Sequence, residues 1–296
     1  MTTNSNILRI LFVINPKSGR KDTDWEKIIQ KHYAELPVET DVLLLEENCD
    51  PKTIGQKIND FQPQRIAAVG GDGTVKLVAE QLLNKPEIIL CIVPAGSANG
   101  MAKELGIPLN AAEALQLCAD GVPQKIHLVK VNDHTCIHLS DVGFNAFVIK
   151  MFERASGRGM WGYIKASWRA LWQHSRLTAR IRTDEGVVQR NAAMIVIANA
   201  TKYGSGALIN PEGRLDDELF EVIVVRKISF SEIFKMMVTH MAYDPAKTEV
   251  FQCTYLEIVS KKYAHFQVDG EYLGKINKVE AELLPAAISI AVPDKI

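Results

Sequence analysis

Gly70-Gly71-Asp72-Gly73-Thr74 is the stretch of this chain whose residue types and spacing point most directly to chemistry. An apolar run, Ile66 to Val69, leads into it, and Val75, Leu77, Val78, Leu82 and Leu83 follow with helical spacing. The pentapeptide therefore reads as a turn between a strand and a helix. Such a turn presents backbone N–H groups and the positive end of a helix dipole, which together can hold a phosphate. Asp72 is out of place in a pure anion cradle. A carboxylate beside phosphates calls for a metal ion or a proton, and so for a reaction as well as binding. The pattern is not a Walker P-loop, which needs Lys-Ser/Thr after the last glycine, because Thr74-Val75 follows here; nor is it Gly-x-Gly-x-x-Gly.

Two further turns have the same setting. Asn15-Pro16-Lys17-Ser18-Gly19 ends an apolar run over 7–14, and Pro94-Ala95-Gly96-Ser97-Ala98-Asn99-Gly100 ends a run over 88–93. Between them the chain alternates: Asp24 caps an amphipathic helix with Trp25, Ile28, Ile29 and Tyr33, a strand covers 38–45, and a helix covers 51–61 with Pro51 in its first turn. Asn110 and Glu113 form a capping pair for a helix that closes at Gly121. Alternating strands and helices predict a parallel sheet covered on both faces. Ligands collect at the carboxyl ends of strands in such sheets, so the three turns can converge on one crevice.

Beyond 121–128 the pattern changes to strands over 125–131, 135–139, 177–183, the run after Gly186, 193–198, 219–225, 250–259 and 266–268, with Asn132-Asp133 as a hairpin turn. Helical stretches over 144 to about 174 and 230–243 interrupt them. A mostly antiparallel β-domain follows from this order. Its basic segment carries Lys150, Arg154, Arg158, Lys165, Arg169, Arg176, Arg180 and Arg182, and Trp161, Ile164, Trp168, Leu171 and Trp172 share a helical face. That pattern suits either a packed core with a solvated basic side or an interfacial helix attracted to anionic lipid.

With 296 residues, 47% hydrophobic and 23% charged, the chain is an ordinary globular one, and its net charge of −1 gives no case for a nucleic-acid partner. Cys49, Cys91, Cys118, Cys136 and Cys253 are scattered, without metal or redox spacing, and read as buried thiols of a reducing compartment. The first six residues lack a basic region, and the run over 7–14 is short and broken by Arg9, so a cytoplasmic location with peripheral membrane contact is expected.

Taken together, the motifs resemble those of the diacylglycerol kinase catalytic-domain superfamily, which includes bacterial lipid kinases, sphingosine kinases and ceramide kinases. Asn15-Pro16-Lys17-Ser18-Gly19 matches its first nucleotide loop, Gly70-Gly71-Asp72-Gly73-Thr74 its signature, and Pro94-Ala95-Gly96-Ser97-Ala98-Asn99 its third loop. Leu215-Asp216-Asp217 and Val268-Asp269-Gly270-Glu271 match two later motifs in family order. The resemblance implies a two-domain fold: an α/β ATP-binding domain over 1–127, rejoined by a returning segment over 285–296, and an antiparallel β-sandwich over 128–284.

The implied reaction is transfer of the γ-phosphoryl group of ATP, with Mg²⁺, to a lipid hydroxyl. Asp72 and Glu271, the latter supplied by the second domain, are the implied catalytic pair, and either can take the proton. Asn15, Ser18, Gly19, Gly70, Gly71, Gly73, Thr74, Gly96, Ser97 and Asn99 carry over as nucleotide-loop residues, and Arg158 as a cation for the ATP phosphates. A structural Mg²⁺ is implied at Asp217 with the carbonyls of Arg214 and Leu219, although Glu218 stands where the family usually has glycine. Gly100 replaces an aspartate common in bacterial members, which leans slightly toward the sphingoid branch. Against that, Phe147 stands where sphingosine kinases place an acidic residue for the substrate amine. The acceptor is therefore expected to be diacylglycerol or a similar neutral glycerolipid; a sphingoid-base or ceramide acceptor and, more remotely, NAD kinase activity are the alternatives. A homodimer is compatible with the sequence.

Overall fold

The computed structural model describes residues 7–19, 23–46, 50–153, 176–201, 208–211, 213–228 and 247–294. They form two compact units, Met1–Ile126 with Ala286–Ile296, and His127–Pro285.

The first unit is a parallel sheet with the order β2 (Val38–Leu44), β1 (Leu8–Ile14), β3 (Arg65–Gly70), β4 (Ile89–Pro94) and the last residues of β14 (Glu271–Val292). Side chains alternate along each strand, so both faces need cover. Ile10, Phe12 and Ile14 of β1 pack with Ala67, Val69, Cys91 and Val93 against α1 (Trp25–Tyr33) and α5 (Ala111–Asp120) through Ile29, Tyr33, Leu115 and Cys118. On the other face α2 (Lys52–Phe61) and α3 (Asp72–Leu82) bury Ile54, Ile58, Val78 and Leu82. Asp24 and Asn110 cap α1 and α5, each accepting from backbone N–H groups of the first turn. A short helix, α4 (Gly100–Glu104), follows β4. Because β1 and β3 are neighbours whose next strands lie on opposite sides, the sheet order reverses between their carboxyl ends.

The second unit is the expected β-sandwich. One layer runs β12 (Thr248–Cys253), β11 (Phe220–Val225), β10 (Met194–Ala198), β7 (Leu139–Gly143) and the end of β13 (Tyr255–Val268). The other pairs the start of β13 with β8 (Leu177–Thr183) and β14, with β9 (Gly186–Ala192) beside β8. A hairpin of β5 (Val122–Val131) and β6 (His134–Cys136) adds to β14. Val142, Ile195, Ile197, Phe220, Val222 and Phe266 face residues such as Ile181, Leu256, Ile258 and Val279 in the core. The outer face of the first layer is covered by α6 (Phe144–Glu153) through Phe144 and Val148.

Two expectations need correction. The apolar run 250–259 is not one strand. Asp184 accepts hydrogen bonds from the N–H groups of Thr254 (2.7 Å) and Tyr255 (3.2 Å), which breaks the run between β12 and β13. The run 135–139 is also divided, because Asp269 captures the N–H groups between β6 and β7, as described below. Among the described residues no helix is long and apolar enough to cross a membrane. Cys91, Cys118, Cys136 and Cys253 are buried free thiols, and Cys49 lies outside the described residues. The helical face with Trp161, Trp168 and Trp172 and the stretch 230–243 lie outside them too.

The edges of the two sandwich layers are joined by Glu249 of β12. It accepts from Arg190 of β9 at 2.6 and 2.7 Å and from Arg226 at 2.8 Å. The Arg190 hydrogen bonds, with help from Arg226, hold its carboxyl down at about 2. A depressed carboxyl stabilises the fold above its unfolded value of about 4.5 and loses that contribution as pH falls toward 2. Glu249→Gln is expected to cost about 1–2 kcal/mol at pH 7, allowing for solvent at the half-exposed Arg226, and almost nothing near pH 2. Urea melts of both proteins across that range check this; an equal difference at both ends would contradict it.

Candidate active site

The three turns of the first unit meet at the point where its sheet order reverses. Asn15 continues β1 and donates its N–H to Val69 of β3 (3.0 Å), while its side-chain amide reaches Thr74 Oγ1 (3.4 Å). Ser18 closes the first loop by donating its N–H to the Asn15 carbonyl (3.0 Å). Gly19 has φ +79°, and a Cβ there would lie 3.2 Å from the Ala95 carbonyl of the third loop. Gly70 ends β3 and accepts from the Ala95 N–H at 2.8 Å. A Cβ on Gly96 would lie 2.4 Å from Gly71 Cα, and one on Gly70 would lie 2.2 Å from Thr74 Oγ1. Glycine at these positions lets the signature and third loops pack backbone to backbone, with the Thr74 hydroxyl folded over the turn. Gly73, by contrast, is exposed, and its Cα faces open space at the first turn of α3.

Asp72 is the join between the second and third turns. Its carboxylate accepts the N–H groups of Gly100 (2.9 Å) and Met101 (3.0 Å), the first residues of α4. Asn99, left-handed at φ 51°, accepts from the Gly96 N–H and donates to the Gly96 carbonyl, both at 2.9 Å. Ser97 is exposed between them. The arrangement offers a backbone-rich, partly open surface at the amino end of α3, where an anion is favoured.

In the second unit Asp269 and Gly270, at φ 50° and 87°, make the tight turn from β13 to β14. Asp269 is a structural carboxylate: it accepts the N–H groups of Ile137 (3.0 Å), His138 (2.8 Å) and Leu139 (3.3 Å). Gly270 donates its N–H to Gln267 Oε1 at 2.7 Å, and Gln267 in turn donates to the fully buried Asp141. Asp141 also accepts from Asn145 (2.6 Å) and the Ala146 N–H (2.8 Å), capping α6. Burial pushes its carboxyl up to about 6 despite those hydrogen bonds. Sequence reasoning missed this network. Its one signal was a charged residue inside the apolar Leu139-Ser140-Asp141-Val142 run. Glu271, next in the turn, differs from these: it is exposed, and no described residue bonds its carboxylate.

Residues 9–131 match the diacylglycerol kinase catalytic domain, and residues 140–292 match the YegS C-terminal NAD kinase beta sandwich-like domain. The chain belongs to the diacylglycerol kinase catalytic-domain superfamily. Among superfamily relatives, a "probable lipid kinase YegS-like" of Chromohalobacter salexigens is 27% identical over 84% of this chain and 82% of its own. A diacylglycerol kinase of Staphylococcus epidermidis is 24% identical over 90% of this chain and 87% of its own. The crystal structure of a diacylglycerol kinase from Bacillus anthracis has the same fold, with a TM-score of 0.74, 19% identity and 98% of each chain covered.

Set beside the superfamily's motifs, several positions take on a physical reason. Gly100, in place of aspartate, supplies an N–H to Asp72 rather than a second carboxylate. Glu218 adopts φ 59°, the left-handed region in which glycine is the usual residue. Asp217 Oδ1 accepts the Leu219 N–H at 3.2 Å, and Arg214 pairs with Asp216 at 3.0 Å. Beneath this loop, burial lowers the pKa of His127 and favours its neutral form, against the opposing pull of the Asp217 and Asp216 carboxylates and the Arg214 backbone. The donor set fits a cation held by one carboxylate and backbone carbonyls, and no group of three or more His, Cys, Asp or Glu able to hold a metal occurs among the described residues. Phe147 stacks on His265 with ring centroids 4.7 Å apart. Arg158 lies outside the described residues.

The loop packing makes a contrast between two glycines. Gly96→Ala is expected to destabilise the chain by about 1–3 kcal/mol, because the clash is with backbone that cannot turn aside. Gly73→Ala is expected to leave the melting temperature within the range of a neutral surface change. Thermal denaturation of both variants checks this; equal stability would contradict the loop contact.

Proposed function

We propose that the chain transfers the γ-phosphoryl group of ATP to the hydroxyl of a neutral glycerolipid of the diacylglycerol class. The observation that carries this reading is the meeting of three glycine-bearing loops at the sheet's reversal point, with the open Gly73 at the amino end of α3. In such a place backbone N–H groups hold phosphate oxygens, and Mg²⁺ arrives with ATP as its counter-charge. The lipid oxygen forms a bond to the γ-phosphorus, the bond to the β-phosphate bridge breaks, ADP leaves, and the lipid proton passes to a carboxylate.

We assign that proton to Glu271. Asp72 already accepts two backbone N–H groups, which tie it to holding the loops. Glu271 is exposed, without such ties among the described residues. A neutral acceptor is favoured because Phe147 and its ring partner His265 provide no carboxylate for a substrate ammonium. Residues 214–219 would hold a structural Mg²⁺ through Asp217 and the carbonyls of Arg214 and Leu219. A cytoplasmic enzyme that visits the membrane surface is consistent with this assignment.

Glu271→Gln is expected to lower turnover at least ~10²-fold with no change in melting temperature. Asp72→Asn should lower turnover and also destabilise by about 1 kcal/mol, since one acceptor for α4 is lost. The readout is ADP release with detergent-dispersed diacylglycerol, with NAD as the competing acceptor. Full activity of Glu271→Gln, or phosphorylation of NAD alone, would overturn the reading. For the metal, Mg²⁺ should raise the melting temperature of the nucleotide-free chain, and Asp217→Asn should remove that shift; an unchanged wild-type melt would count against the site.

A further inference from the structure

The β13–β14 pair carries a feature that phosphoryl transfer does not use. Val259 pairs with Lys278 and Ala264 with Ile276, so the four residues 260–263 stand opposite the single residue Asn277. Ser260 stays in register with Ala179 of β8, and the remaining surplus, 261–263, forms a hump as β-bulges do. The hump is braced from within: Ser260 is buried, and its hydroxyl lies 2.6 Å from the Lys262 carbonyl and 3.4 Å from that of Asn277. Lys261, Lys262 and Tyr263 project from it, Tyr263 with 67% of its surface exposed.

The neighbouring strands extend the same character. Val259, also exposed, lies between Lys278 on one side and Arg180 of β8 on the other. Exposed Arg176 precedes β8, and exposed Lys275 follows the hump on β14 opposite His265. Lys278 is neutralised by Glu257 (3.5 Å) and Glu280 (2.6 Å). Arg176, Arg180, Lys261, Lys262 and Lys275 have no ion-pair partner among the described residues. In a chain of net charge −1, five unpaired cations around an exposed tyrosine and valine are a local concentration rather than a consequence of composition.

We infer that this hump is a membrane-docking surface, which seats the enzyme on an anionic bilayer through Lys261, Lys262, Arg180, Arg176 and Lys275 while Tyr263 and Val259 enter the headgroup layer. The inference rests on the lipid-kinase reading for its partner. Cations near an anionic leaflet attract it by a long-range, salt-sensitive term, and an aromatic ring with a polar tip suits the water–hydrocarbon boundary. A nucleic acid would be drawn to the same charges, but it gains nothing from the exposed Val259.

The test is co-sedimentation of the full chain with vesicles of phosphatidylcholine alone and of phosphatidylcholine mixed with phosphatidylglycerol in equal parts, at low and high salt. Binding is expected only with phosphatidylglycerol and should weaken with salt. The double variant Lys261→Glu/Lys262→Glu should weaken it at least roughly 25-fold, at about fivefold for each lost cation, and Tyr263→Ala should weaken it at low and high salt alike. Turnover of detergent-dispersed lipid should be unchanged in both variants. Lys275→Glu provides a second charge variant on a regular strand. Variants that bind vesicles as the wild type does, or transfer of the same residue dependence to duplex DNA or RNA without vesicle binding, would overturn the docking surface. A wild type that turns over dispersed lipid without binding vesicles would overturn it while leaving the reaction intact. Vesicle binding that the variants lose, in a chain inactive on every lipid, would support the surface and overturn the reaction instead.

Discussion

The meeting of the second and third loops of the first unit depends on one short carboxylate. Asp72 sits in the first turn of α3 and accepts the opening N–H groups of α4, 28 and 29 residues further on. Without that acceptor the α4 donors would need solvent, and the loop after β4 would lose the tie that reinforces the Ala95 N–H bond to the Gly70 carbonyl. The close approach of Gly96 to Gly71 follows from it, because two backbones can sit this near only where neither carries a Cβ and something holds them there. The motif glycines and the motif aspartate thus serve a single purpose: they make two loops into one surface.

The same chemistry recurs through the chain. Asp269 gathers three consecutive N–H groups, Asp184 ends β12, Asp141 caps α6 from a fully buried position, and Asp217 turns its own loop. An aspartate side chain is short enough to reach nearby backbone donors. Against this background Glu271 is distinctive. It has a longer side chain, an exposed setting and no such donors among the described residues. The fold thus separates carboxylates that hold loops from the one to which the proposed proton transfer is assigned.

Much of the architecture was legible because the signals are local. Hydrophobic alternation and turn glycines gave β1 to β4 and their helices, and the motif order gave the family. The apolar run 250–259 misled because its interruption comes from Asp184, some 70 residues distant, and not from any residue within the run. The clamp made by Asp72 was hidden for a related reason: its partners are backbone N–H groups, which have no sequence identity. The Asp141–Gln267–Gly270 network was hidden as well, since hydrogen bonds across more than a hundred residues leave only an isolated charge in an apolar strand as a trace. The hump at 261–263 appears only once β14 fixes the register against which the extra residues are counted.

The central claim is that this chain phosphorylates a lipid hydroxyl from ATP. Its most direct measurement is incubation of the purified chain with γ-labelled ATP, Mg²⁺ and a total lipid extract, followed by mass spectrometry of the labelled products. The account predicts label in the phosphorylated form of a neutral glycerolipid. Label confined to a water-soluble nucleotide product, or no labelled lipid of any class, would contradict it.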